Sequence, residues 1–310
     1  MSAEGQTQIN ASTRYCAVLG HPVKHSASPA LCIAGIAALG LNWRYLAFDV
    51  LPDNLPAALA GAKAMKFIGL NLTVPHKLLA LEMVDDLDAS ARQWGAVNTI
   101  RFEARDAQGQ WRPVAQFADD VPDEIRSKGF NTDADALVRA LNEDLGLQPL
   151  AGAGVLVLGA GGAGRVAALK LASEGAGILF LVNRTRSKAG QIAYEIRRRF
   201  PGLEVTAGYP NNKNKVDLVI NATSLGLQPE DELPFEPEQF SLRQAHAVYD
   251  LIYRPAETPL LKAAKAAGCR TANGLGMLLH QGAKALEIWS DKPAPLAVMR
   301  QALEKEIYRR

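Results

Sequence analysis

The run Val155-Leu-Val-Leu-Gly159-Ala-Gly161-Gly-Ala-Gly164 constrains this chain more than any other, because an apolar run stops at glycine and G-x-G-x-x-G leads straight into a helical stretch, Arg165 to Ser173. A short apolar run bounded in this way reads as a buried strand. Gly159 permits the tight turn, Gly161 lets the backbone approach a pyrophosphate, and Gly164 lets helix and strand pack closely, while the helix N-terminus offers oriented N–H groups. A glycine-rich turn with no ligand is the plain alternative. Strand, spacing and a second strand, Ile178 to Val182, together favour dinucleotide binding over it.

The end of that second strand selects the dinucleotide. An NAD site presents a carboxylate there for the ribose hydroxyls, whereas this chain has Asn183-Arg184-Thr185-Arg186-Ser187-Lys188. Arg184 can pair with a 2′-phosphate and lie against the adenine face, with Thr185 and Lys188 completing the pocket. A solvated basic turn is the alternative. Three cations and no acid at this place favour NADP.

The rest of the chain agrees with an α/β architecture in which short apolar runs alternate with alanine-rich helical stretches. Strands are expected at Tyr15 to Leu19, Trp43 to Val50, Phe67 to Val74 and Ala96 to Glu103, then at Val155 to Leu158, Ile178 to Val182, Val216 to Ile220 and Ala247 to Leu251. The pattern reads as parallel throughout. Helices fill the gaps between the first three strands; Ser28 followed by Pro29 has the form of an N-cap with proline at the first helical position. Others are expected over Asp133 to Leu147, Leu275 to Trp289 and Pro295 to Ile307. The polar stretch from Ala104 to Lys128 reads as a long hairpin or insertion without assignable chemistry.

At 310 residues and 48% hydrophobic the chain has material for two cores, and its net charge of +2 lacks the cationic excess of a dedicated nucleic-acid binder. The longest charge-free stretch, Ser26 to Trp43, is diluted by serine, proline, glycine and asparagine, a poor membrane span. The opening MSAEGQTQINAST lacks the basic and apolar regions of a signal peptide, so a cytoplasmic protein is expected. Cys16, Cys32 and Cys269 are odd in number and without CxxC pairing, and His21 and His25 flank a proline. Neither a disulfide framework nor a metal site is indicated.

Along Phe67-Ile-Gly-Leu-Asn71-Leu-Thr73-Val-Pro75-His-Lys77, alternation puts Asn71 and Thr73 on one face at the end of a strand. Lys77 follows in the first turn of the next helix. The macrodipole opposes a cation there, so the lysine needs either free solvation or a function.

From about Tyr15 to Trp289 the chain resembles the shikimate dehydrogenase family, through several separated motifs that coincide in order. Gly20-His-Pro22-Val-Lys-His25-Ser26-Ala-Ser28-Pro29 looks like the family's shikimate-binding loop, Asn71-Leu-Thr73-Val-Pro75-His-Lys77 like its catalytic-lysine motif, and Gly95-Ala-Val-Asn98-Thr99 like its third substrate motif. Gly129-Phe-Asn131-Thr132-Asp133 supplies the catalytic aspartate. The glycine loop, Asn183-Arg184-Thr185, Asn221-Ala222-Thr223-Ser224, Asp250-Leu251-Ile-Tyr253-Arg-Pro255 and Gly274-Leu-Gly-Met277-Leu-Leu-His-Gln281 complete the set.

The resemblance implies reduction of 3-dehydroshikimate to shikimate with NADPH, on the way to chorismate and the aromatic amino acids. Lys77 would be the acid/base, and Asp133 would bind a ring hydroxyl and hold Lys77 in place. Ser26 and Ser28, with Tyr253, would hold the substrate carboxylate, and Thr73, Asn98 and Gln281 would bond ring hydroxyls or the reacting oxygen. NADP would be held by Gly159, Ala160, Gly161, Gly162, Ala163 and Gly164, by Asn183, Arg184, Thr185 and Lys188, and by Ala222, Thr223, Ser224, Leu251, Gly274 and Met277. The implied architecture is a substrate-binding α/β domain, residues 1–132 completed by 274–310, and a Rossmann-type NADP-binding domain, 133–273. Taken singly, Ser28 reads as a cap, Asn98 as a turn residue and Gln281 as a surface position. The joint spacing reverses that.

Three positions depart from the family pattern: Cys32 lies near where a histidine is common, Ala136 stands for a glycine, and Lys188 for an arginine, which keeps charge but loses bidentate pairing. The rival readings are a quinate/shikimate dehydrogenase that takes an extra ring hydroxyl or uses NAD, aminoshikimate chemistry on the same scaffold, and a non-catalytic NADP-binding regulator. Retention of both Lys77 and Asp133 speaks against the regulator. The expected partners are shikimate or 3-dehydroshikimate alone, with no nucleic acid and no membrane. A homodimer is the assembly considered, and the sequence does not report it.

Overall fold

The structure is a computed structural model that describes residues 9–118, 120–147, 150–211 and 215–308. The opening segment read above for a leader lies outside these through residue 8, as does residue 119 of the polar insertion. Contacts gather the chain into two compact units, Met1–Thr132 with Leu279–Arg310, and Asp133–Leu278.

The first unit runs β1 (Arg14–Gly20), α1 (Ser28–Ala38), β2 (Trp43–Asp49), α2 (Leu55–Ala64), β3 (Gly69–Leu72), α3 (His76–Leu79), β4 (Asp86–Leu87), α4 (Ala89–Trp94), β5 (Thr99–Arg105), β6 (Trp111–Pro113) and β7 (Ile125–Phe130). The second holds α5 (Asp133–Leu145), β8 (Gly154–Leu158), α6 (Gly162–Ser173), β9 (Ile178–Val182), α7 (Arg186–Arg199), β10 (Glu204–Thr206), β11 (Val216–Asn221), β12 (Ala245–Asp250), α8 (Pro259–Ala266) and β13 (Arg270–Asn273). The return to the first unit falls inside α9 (Leu275–Ser290), and α10 (Leu296–Tyr308) completes it.

Parallel pairing throughout, the expectation from alternation, holds for the second unit only. In the first sheet, ordered β2-β1-β3-β5-β7-β4, β1 is parallel to β2 and β3, but β5 runs antiparallel to β3, β6 and β7. After residue 104 the described residues hold no crossover helix, so β6 and β7 each pair back antiparallel on β5 as hairpins. Asp106 shapes the β5–β6 turn by accepting from the amides of Gln108 and Gln110, and Gly109 takes the left-handed conformation, φ +78°, that this turn needs. Trp111 then covers the guanidinium of Arg126 at 4.7 Å, which grips the buried carboxylate of Glu103 at 2.7 Å.

Two further expectations need correction. The N-cap of α1 is Ala27, not Ser28, and no side chain caps it; Ser28 is the first helical residue, buried, with its backbone N–H 3.3 Å from the Ser26 hydroxyl. β3 also begins at Gly69 rather than Phe67. The Trp289 indole from α9 lies against Gly69, where a Cβ would stand 2.1 Å from Nε1, and donates to the Ile100 carbonyl at 2.9 Å.

The second sheet is ordered β10-β9-β8-β11-β12-β13, with every pairing parallel. Counted from β8 this is 3-2-1-4-5-6, the doubly wound dinucleotide-binding order, whose switch point lies between β8 and β11. Helix α6 begins at Gly162, three residues before the expected Arg165. No helix among the described residues is long and apolar enough to cross a membrane. All three cysteines are buried thiols, and burial pushes that of Cys32 up to about 12.

Candidate active site

In the first unit, backbone bonds draw the expected substrate motifs to the C-terminal ends of β1 and β3. Thr73 donates its N–H to Leu19 O at 3.0 Å and His21 donates to Val74 O at 3.0 Å, which ties the loop after β1 to the segment after β3. Gly20 has no alternative here, because a Cβ would stand 2.4 Å from the Thr73 methyl. Leu72 N–H donates to Asn98 O at 2.8 Å, Val97 N–H to Lys77 O at 2.9 Å, and Asn98 N–H to Phe130 O at 3.1 Å. Four stretches distant in sequence thus meet at one end of a sheet.

The side chains divide into those committed inward and those left accessible. Asn71 is buried, accepts from the Tyr45 hydroxyl at 2.7 Å and donates to Thr99 Oγ1 at 3.0 Å, so it does not share an open face with Thr73, which lies beyond the strand and is only partly buried. Asn98 is 1% exposed; its Oδ1 accepts from Thr132 N–H at 2.8 Å and its Nδ2 donates to Thr132 Oγ1 at 2.9 Å, fixing the residue before Asp133. Thr132 Oγ1 in turn donates to the Gln281 carbonyl at 3.1 Å. Ser26, Lys77 and Gln281 are partly buried.

The macrodipole argument for Lys77 fails on length. Helix α3 spans four residues before a 3-10 turn, Ala80–Glu82, too few aligned peptides to build a sizeable dipole. Its neighbour His76, read as structural, is fully buried with Nε2 2.8 Å from Val50 O, and burial lowers its pKa. A neutral imidazole donating to that carbonyl pins α3 to the end of β2.

In the second unit the glycine loop fits a dinucleotide on three observations. Gly159 has φ +106° and its missing Cβ would meet Ala222 O at 2.8 Å; a Cβ on Gly164 would stand 2.1 Å from Gly159 O; one on Gly161 would meet nothing within 4 Å. Two glycines are therefore required by the protein and the third faces open space, as a pyrophosphate cradle demands. No side chain caps α6, so its first amides are available to an anion. Asn183 accepts from Ala160 N–H at 3.0 Å and donates to Thr185 O at 2.9 Å, joining the loop to the basic turn. There Arg184, Thr185 and Lys188 are exposed, Thr185 is the N-cap of α7 with no side-chain cap bond, and the first turn holds no acid. That set matches a 2′-phosphate.

The loops after β11 and β12 are held by a buried pair that sequence reasoning quoted but did not explain. Asn221 donates to Asp250 Oδ1 at 2.9 Å and accepts from both Thr223 N–H and Thr223 Oγ1, while Asp250 also accepts from Ile252 N–H and from Thr258 Oγ1 at 2.6 Å. Burial pushes the Asp250 carboxyl up to about 6 against these donors. Gly274 lets the chain pass Leu251, whose carbonyl oxygen would stand 2.1 Å from a Cβ, and Met277 N–H donates to Tyr249 Oη at 3.2 Å. Asp133 is buried at the start of α5, Tyr253 is partly buried, and Ser224 is exposed.

A doubly wound dinucleotide unit, and a second α/β unit presenting a lysine, hydroxyls and amides at one sheet end, define a two-domain nicotinamide-dependent oxidoreductase. Comparison narrows the class. Residues 18–100 match the shikimate dehydrogenase substrate binding domain, 143–227 the shikimate/quinate 5-dehydrogenase family and 274–304 the shikimate 5′-dehydrogenase C-terminal domain. The chain is 43% identical to a shikimate dehydrogenase (NADP(+)) of Moorella thermoacetica over 96% of its own length and 95% of the relative's. A shikimate dehydrogenase crystallised in complex with NADP+ superimposes with TM-score 0.81 at 35% identity, covering 97% of this chain and 98% of that one. The Thermus thermophilus enzyme, solved with NADP(H) and shikimate, gives TM-score 0.76 at 36% identity over 94% and 99%. This chain belongs to the shikimate dehydrogenase family.

Proposed function

We propose that the chain catalyses the reversible, NADPH-dependent reduction of 3-dehydroshikimate to shikimate, the shikimate-pathway step toward chorismate and aromatic amino acids. The observation that carries this is the convergence of Ser26, Ser28, Thr73, Lys77 and Asn98 at the ends of β1, β3 and β5, in a chain whose 43%-identical relative is named for that activity. When bound, the nicotinamide supplies or accepts the hydride. Lys77 then delivers a proton to the reacting oxygen, or removes it in the reverse direction, with Asp133 assisting and binding a ring hydroxyl. Ser26, Ser28 and Tyr253 take the substrate carboxylate; Thr73, Asn98 and Gln281 take ring hydroxyls and so fix which carbon is presented.

The first unit supplies substrate recognition and the second holds NADP through Gly159 to Gly164, Asn183, Arg184, Thr185, Lys188, Ala222 to Ser224, Leu251, Gly274 and Met277. The basic, acid-free turn after β9 favours NADP over NAD. A homodimer and a cytoplasmic location complete the proposal; light scattering on the purified chain tests the former. The decisive assay follows NADPH absorbance during oxidation of shikimate with NADP+. Turnover is expected, and cofactor binding without turnover would remove the enzyme reading.

A further inference from the structure

Tyr45 of β2 lies outside every motif that pointed to the substrate site, yet it is 1% exposed and its phenol is the hub of a buried polar chain. The hydroxyl donates to Asn71 Oδ1 at 2.7 Å. The Ser28 hydroxyl and the Cys32 thiol also lie against the phenol, and because its single proton is committed to Asn71 the phenol oxygen can only accept from them. Onward, Asn71 Nδ2 donates to Thr99 Oγ1 at 3.0 Å and to Asn98 O at 3.3 Å. Thr99 Oγ1 donates to Asn98 Oδ1 at 3.4 Å, Asn98 Nδ2 to Thr132 Oγ1 at 2.9 Å, and Thr132 Oγ1 to the Gln281 carbonyl at 3.1 Å.

The side-chain donations along this chain all point the same way, and the Thr132 N–H returns one backbone bond to Asn98 Oδ1 at 2.8 Å. The direction is set at the far end, since a backbone carbonyl can only accept, and by Asn98 O, which obliges Asn71 to turn its amide nitrogen toward β5 and its oxygen toward Tyr45. Aligned donors polarise one another, and a buried chain with one polarity has one arrangement of its side chains. Its members come from α1, β2, β3, the residue before β5 and its first residue, the second residue after β7, and α9, all in the first unit; Ser28 and Asn98 are two that the proposed function assigns to the substrate.

We propose that Tyr45 and Thr99 are positioning residues for substrate recognition, joining Ser28 and Asn98 through Asn71 so that the two groups are presented together. This rests on the proposed function, because it concerns how those two residues meet shikimate. Tyr45→Phe keeps the ring against Trp289, 6.2 Å away between centroids, and removes only the hydroxyl. Thr99→Val keeps shape and removes the middle link.

The test is steady-state kinetics of shikimate oxidation for wild type, Tyr45→Phe, Thr99→Val and the double variant, with NADP+ binding and thermal midpoint measured on each. Each single variant is expected to raise the shikimate KM about five- to tenfold, as for one lost buried hydrogen bond, with kcat within about twofold and NADP+ affinity unchanged. The double variant is expected to be no worse than about the poorer single, because one cut already interrupts the chain. Unchanged shikimate KM in Tyr45→Phe, multiplicative single effects, or equal losses in kcat, NADP+ affinity and thermal midpoint would each overturn the inference while leaving the enzyme reading intact. A wild type that binds NADP+ but does not turn over shikimate removes the proposed function and, with it, this inference.

Discussion

The two units prepare their ligand sites by different physical means. In the second unit recognition is chiefly a property of backbone: two glycines excluded from bearing a Cβ, a third facing open space, and helix N-termini left without side-chain caps. In the first it is a property of side chains, set by a polar chain whose inner members are buried and face no solvent. Backbone recognition tolerates variation in the surrounding letters but not in glycine spacing. Side-chain recognition depends in addition on buried residues such as Tyr45 and Asn71 that orient the recognising groups from behind.

The largest effect expected of this division is at Lys77. Lys77→Ala should lower kcat about 10²- to 10⁴-fold with modest change in shikimate KM and none in NADP+ affinity, measured by initial rates and cofactor titration. A fall in NADP+ affinity as large as that in kcat would break the comparison. Next comes Gly164→Ala, where the new methyl meets Gly159 O at 2.1 Å; a cost of about 1–3 kcal/mol in stability and weaker NADP+ binding are expected, read by thermal unfolding with and without cofactor.

Arg184→Ala should reduce the preference for NADP over NAD by about tenfold or more in kcat/KM, through loss of a charge-assisted pair, and leave shikimate KM alone. An unchanged preference would take Arg184 out of the phosphate site.

The smallest effect is a pH slope. The folded carboxyl of Asp250 titrates at about 6 against an unfolded value of 3.8, so the folded state holds its proton more tightly. The stability this group contributes is complete below about 4 and is lost as pH rises through about 6, the reverse of a salt-bridged acid. Asp250→Asn should therefore flatten wild type's decline over that window, in thermal midpoints recorded across pH. Parallel profiles for the two proteins would count against it.

What could be read in advance follows the same division. Gly159, Gly161 and Gly164 declared the dinucleotide unit because their spacing encodes a backbone turn, and four of its six strands were placed within about two residues, while the short edge strands β10 and β13 were missed. In the first unit the hairpin read over residues 104–128 is present as the antiparallel β5–β6 and β5–β7 pairs, whereas the reversal of β5 against β3 was not legible, since alternation reports burial and not strand direction. Asn71 was taken to share a face with Thr73, yet it bonds Tyr45, which a period of two within one strand cannot reveal. Tyr45 carried no local signal, and Thr132, though inside the motif ending at Asp133, was given no role of its own. Their partners lie 26 and 149 residues away, at Asn71 and Gln281, and only the folded sheet brings them together.

The central claim is that one unit selects shikimate while the other selects NADP, and it is tested most directly by kcat/KM for shikimate and quinate, each with NADP+ and with NAD+, on the same preparation. Shikimate with NADP+ is predicted to exceed the other three combinations, with separable preferences for substrate and cofactor. Equal use of quinate, or a preference for NAD+, would contradict it.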